Sequence, residues 1–156
     1  MPGFAIFLGW LTLAAVRSIC YVLPMAFSYF VSLQVKHPDA KPENIVAGIG
    51  LPPSRFWTVG EQRATPKGIP LPGKYRESYC VFRLGERDDG ELAAFLRDTL
   101  AKLEPAAAFI EDLRRTGGRL NFFVSWSLGD RGEVFDVELL AKMARLGIDL
   151  GIEPLA

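Results

Sequence analysis

Histidine is almost missing from this chain. Its 156 residues include one, His37, and only two cysteines, Cys20 and Cys80. A zinc site draws about four ligands from His, Cys and carboxylates at set spacings, and so few leave no metal site to assemble. The two cysteines lie far apart in apolar stretches, which suits buried thiols rather than a disulfide framework. Net charge is missing too, because 18 basic residues cancel 18 acidic ones. Nucleic-acid binders carry a basic excess, so no nucleic-acid partner is expected. Ser125 has no Gly-x-Ser-x-Gly elbow around it. There is no internal repeat and no low-complexity tract. General acid–base and nucleophilic catalysis need partnered groups. No catalytic residue and no cofactor is therefore assigned, and an enzyme ranks last among the function classes.

What is present is apolar sequence, 49% of the chain, enough for a core. The length suits one domain, expected over residues 25–156. Residues 1–24 differ from the rest. Their apolar run, broken by Arg17, is marginal for a membrane span, and no Lys or Arg precedes it as in a secretory signal. The first reading is a start placed too early, with the natural product beginning at Met25 and a cytoplasmic location. An export signal or membrane anchor is the alternative, and a membrane partner enters only with it.

Residues 118–127 read as the central strand. Leu120, Phe122, Val124 and Trp126 alternate with Arg119, Asn121, Phe123 and Ser125, the period of two that marks an apolar face. Phe122 and Trp126 are expected under the helix that bears Phe95 and Leu96. Residues 27–36 form a first strand by the same alternation. Pro42 opens a short helix with Glu43 at its positive end. Residues 55–59 read as a short strand, 60–73 as a long surface loop, and 75–84 as a strand. Asp88 and Asp89 offer a cap to a helix carrying Leu92, Leu96, Leu100 and Leu103. Pro105 starts or kinks a second helix. Asp136 caps a last helix, and residues 148–152 alternate as a closing strand. The order predicts an α+β domain of the ferredoxin-like, split β-α-β plan. Its sheet is antiparallel or mixed, its helices pack on one face, and a helix and strand are appended at the C-terminal end.

Few residues carry candidate chemistry. His37, before Pro38, reads as a solvated loop histidine. Gly48-Ile49-Gly50 reads as helix termination rather than a dinucleotide fingerprint, since it follows a helix and meets Pro52-Pro53. Glu86, Asp88 and Asp89 read as a helix start rather than a cation site. One stretch rises above this background, residues 56–63. Phe56, Trp57, Gly60, Glu61 and Arg63 place an aromatic pair, a glycine and two opposite charges close together and are the candidate binding residues. The structural alternative has Trp57 packed on the sheet edge, Gly60 in a special backbone conformation and Glu61 paired with a base.

Pro52-Pro53, Trp57 and Gly60-Glu61 resemble the Pro…Gly-Glu segment of the bacterial family called domain of unknown function 4279. The resemblance continues through Leu92 to Leu103, Gly118 to Trp126 and Leu146 to Ile152, and covers residues 27–155. Where members often carry a Trp in the strand after the loop, this chain has Tyr79-Cys80-Val81. The resemblance implies the fold and a bacterial source, and it brings no activity to any residue. The leading expectation is a small binding module, of immunity or regulatory type, with a protein or peptide partner. An oligomeric scaffold, such as a homodimer, comes next, ahead of a small-substrate enzyme using carboxylates.

Overall fold

A computed structural model describes residues 28–127 and 132–155. The apolar run of residues 1–24, with Cys20, and Met25 lie outside the described residues. The chain runs through β1 (Ser28–His37), α1 (Pro42–Ile49), β2 (Arg55–Trp57), β3 (Gln62–Ala64), β4 (Pro70–Lys74) and β5 (Ser78–Arg87). It continues through α2 (Leu92–Leu103), a 3₁₀ turn (Glu104–Ala106), α3 (Ala107–Arg115), β6 (Arg119–Ser127), α4 (Val137–Leu146) and β7 (Ile148–Pro154).

The fold is α+β, with a five-stranded mixed sheet in the order β2-β5-β1-β6-β7. β1 is antiparallel to both neighbours, and β2 is antiparallel to β5. β7 runs parallel to β6. A parallel pair cannot be joined by a tight turn, and α4 makes the crossover. Tyr29, Val31, Leu33 and Val35 of β1 lie on the same sheet face as Leu120, Phe122 and Val124 of β6, and all are buried. Residues from all four described α-helices close that face into one core, among them Ile45, Leu96, Ile110 and Leu139. Phe122 is fully buried and Trp126 half-buried against the same core. The other sheet face carries Gln34, Lys36, Val81, Arg83, Asn121 and Phe123. No described helix is long and apolar enough to cross a membrane.

Helix ends follow their local chemistry in two places. Pro42 stands in the first turn of α1 with Glu43 beside it. Asp136 caps α4, its Oδ1 accepting the Leu139 N–H at 2.9 Å. That bond, reinforced by Arg97, holds the Asp136 carboxyl below its usual range.

Four expectations are corrected. The loop of residues 60–73 contains a two-stranded antiparallel ribbon, β3–β4. Pro70 and Pro72 hide the second of these strands from any alternation rule, since a proline-bearing strand survives only at an edge. The flanking strands shift accordingly: β2 ends at Trp57 and β5 begins at Ser78. Asp89 does not cap α2, whose N-cap is Glu91 with no side-chain bond. It accepts instead from the Glu91 N–H at 3.0 Å and from the Tyr29 hydroxyl at 2.9 Å, because the buried phenol of β1 needs an acceptor. Finally, His37 is buried, 5% exposed. It is the next inward position of β1 after Val35, rather than a solvated turn residue.

Candidate functional site

Both ring nitrogens of His37 are bound within the fold. Its Nδ1 accepts the N–H groups of Asp39 (3.0 Å) and Ala40 (2.7 Å), so Nε2 carries the hydrogen and donates to Thr116 Oγ1 at 2.9 Å. Both ring nitrogens are occupied by the fold, and no lone pair is left for proton abstraction. Cys80 is a buried free thiol. Burial, with the Glu43 carboxylate adding to it, pushes its pKa up to about 11, the reverse of what a nucleophilic cysteine needs. No three His, Cys, Asp or Glu side chains gather to hold a metal among the described residues. Glu86 pairs with Arg83 at 3.0 Å, and Asp89 serves Tyr29 and the Glu91 backbone.

The five candidate residues divide. β2 is an edge strand, so adjacent side chains point to opposite faces. Phe56 pairs in register with Cys80 and lies on the helix side; Trp57 pairs with Tyr79 and lies on the open side. Phe56 is 53% exposed. It lines an apolar depression of about 300 Å³ with Pro42, Val46, Ala47 and Pro53. Trp57 stacks on Tyr75, with centroids 4.7 Å apart and planes at 15°, and leans on Tyr79 at 4.3 Å. The Arg55 guanidinium lies 5.2 Å from the indole centroid.

Gly60 and Glu61 position the Trp57 side rather than touch a ligand. Gly60 has φ +82°, a left-handed conformation that favours glycine. Its N–H donates to the Tyr75 carbonyl at 2.8 Å, and the Tyr75 N–H returns a bond to the Glu61 carbonyl at 2.9 Å. Glu61 Oε2 accepts the Thr58 N–H at 3.0 Å and so closes its own loop instead of pairing with a base. Arg63, on β3, joins Trp57, Lys74, Tyr75, Arg76 and Glu77 around a second depression of about 490 Å³. Trp57 and Arg63 are thus brought together, Gly60 and Glu61 brace them, and Phe56 is separated.

Tyr75 and Glu77 are the residues that sequence reasoning missed. The Tyr75 hydroxyl accepts the Ala64 N–H and donates to the Ala64 carbonyl, both at 3.2 Å, tying the ribbon down. Glu77, just before β5, receives Arg119 of β6 at 2.8 Å and Lys36 of β1 at 3.6 Å. Neither role has a local signal: Tyr75 depends on the ribbon, which the alternation pattern does not reveal, and Glu77 on Arg119, 42 residues away. The Tyr79 phenol stays neutral, its pKa raised by burial and partly opposed by Arg55. The arrangement gathers three cations, one carboxylate and two aromatic side chains around a depression.

The family model described as Domain of unknown function (DUF4279) matches residues 27–156. No curated protein matches the chain, and no solved structure does.

Proposed function

We propose that this chain, which belongs to the Domain of unknown function (DUF4279) family, is a small binding module that engages a protein or peptide partner through residues 55–77. One observation carries the reading. Trp57 stands beside an open depression of about 490 Å³ whose remaining walls include Arg63, Lys74 and Arg76. Tryptophan and arginine dominate binding hot spots. The backbone bonds between residues 60–61 and Tyr75 hold this surface in shape without making it part of the core. A module of this kind acts by occupying its partner, as regulatory and immunity-type proteins do. We also read β2, β5, β1 and β6 as a ferredoxin-like sheet, a reading supported by their order and antiparallel pairing. The location in this reading is cytoplasmic, in keeping with Cys80 as a free thiol.

Affinity capture from cells of the source organism tests the binding role, comparing the full chain with Trp57→Ala and Arg63→Ala. Partners held by the parent chain should be lost from both variants while their thermal melts remain cooperative. Capture indifferent to both changes moves the surface elsewhere, and unfolding by Trp57→Ala makes the indole a structural residue.

A scaffold is the second reading. It is supported by exposed apolar side chains on α4 and β7, Val137 (79%), Leu140 (45%) and Ile152 (41%). Sedimentation of the full chain and of Leu140→Glu separates it from the first. A concentration-dependent dimer abolished by that change favours the scaffold.

A further inference from the structure

The Trp57 depression is lined by three cations, Arg63, Lys74 and Arg76, against one acid, Glu77. Between Arg55 and Glu77 stand five cations, Arg55, Arg63, Lys67, Lys74 and Arg76, against two acids, Glu61 and Glu77. That is a local net of +3 in a chain whose formal net charge is zero. Both acids are engaged already: Glu61 closes onto the Thr58 N–H, and Glu77 is held by Arg119 and Lys36. Arg63, Lys74 and Arg76 are exposed and make no ion pair among the described residues. The three line one depression together with Trp57 and Tyr75.

We infer that this depression takes a carboxylate-rich segment of a partner protein, with neighbouring Asp or Glu side chains entering it together. The inference rests on the binding role proposed above and names the chemistry of its ligand. Arginine presents a planar fork of donors that matches a carboxylate, and lysine adds a point charge. Grouping cations around one depression of a chain with zero formal net charge raises the local concentration of an acidic partner without attracting polyanions everywhere. A single-stranded nucleic acid fits less well. Base binding needs free ring faces, and the indole of Trp57 is already shared by Tyr75, Tyr79 and Arg55.

Fluorescence anisotropy with the full chain tests this, using three labelled probes: a Glu-rich peptide, its Gln counterpart and an oligothymidylate of equal charge. The proteins are the parent chain, the triple variant Arg63→Gln/Lys74→Gln/Arg76→Gln, and the control Lys102→Gln/Lys142→Gln on the helices. The Glu peptide should bind the parent and the control alike, and should bind the triple variant roughly tenfold more weakly or less. Its affinity should fall several-fold between about 50 mM and about 300 mM salt, and the Gln peptide should not bind. Thermal melts confirm that the triple variant is folded. No saturable binding of the Glu peptide, undiminished binding by the triple variant, or tighter binding of oligothymidylate each overturns the inference. The capture experiment keeps the two proposals apart. Partners lost with Trp57→Ala while the Glu peptide fails leave the binding role standing and remove the acidic ligand. Partners indifferent to Trp57 remove both.

Discussion

Cys80 shows what burial does to one side chain. It lies fully buried on β5 behind α1, its Sγ 3.9 Å from the Pro42 carbonyl. Removal from water, with Glu43 assisting, moves its pKa from 9.0 to about 11. In the unfolded chain the thiol loses its proton near the lower value and in the folded chain near the higher. Between them the folded state binds more protons, so stability is full below pH 9.0 and falls as pH rises through about 11. Tyr29 and Tyr79 are shifted in the same direction, so the cysteine is isolated by comparison with Cys80→Ala. Urea midpoints at about pH 7.5 and about pH 10.5 should show a larger loss for the parent than for the variant. Equal losses would mean that the thiol does not contribute. Reactivity follows the same physics: the native thiol should resist alkylation at neutral pH.

Between elements, α1 meets α3 at close range. A Cβ added at Gly48 would stand 2.3 Å from the Phe109 ring. Gly48→Ala gains about 0.5–1 kcal/mol of helix propensity and loses about 1–3 kcal/mol to overpacking, so it should destabilise by about 1 kcal/mol. Phe109 is half-buried, and in a Phe109→Ala background the same change should become neutral or stabilising. Chemical denaturation of the four proteins measures this coupling, and a penalty that survives loss of the ring would place the clash elsewhere. The sequence announced Gly48 only as part of a helix stop, because its neighbour comes from another helix. The same boundary runs through the whole fold. Periodicity made β1, β6, α2 and α4 legible, since each buries one face. It also held the key to His37, which continues the inward positions of β1 but was masked by the turn signal of Pro38-Asp39. The β3–β4 ribbon was not legible, because it buries no face and carries two prolines. At the site, Trp57, Gly60, Glu61 and Arg63 stood out by composition. Their separation from Phe56, and the parts played by Tyr75 and Glu77, follow from strand pairing that no local pattern encodes.

Across the whole molecule, stability should be graded from the sheet centre to the ribbon. β1 is bonded on both sides and carries Val31, Leu33 and Val35 at 0% exposure. The ribbon is mostly exposed and held largely by Tyr75. Native-state hydrogen exchange should therefore be slowest at Val31 to Val35 and fastest over residues 62–74; comparable protection in both would show that the ribbon unfolds only with the core. The central place of β1 has a further consequence, for synthesis on the ribosome. Val35 is paired with Cys80 on one side and Leu120 on the other. At about 5–20 residues per second, the second of these partners is made roughly 4–17 s after Val35. Throughout that interval the aliphatic side chains of β1 have no finished sheet to enter. The nascent chain must hold its future centre open until the penultimate strand emerges, and in those seconds a chaperone that recognises extended apolar segments finds its substrate.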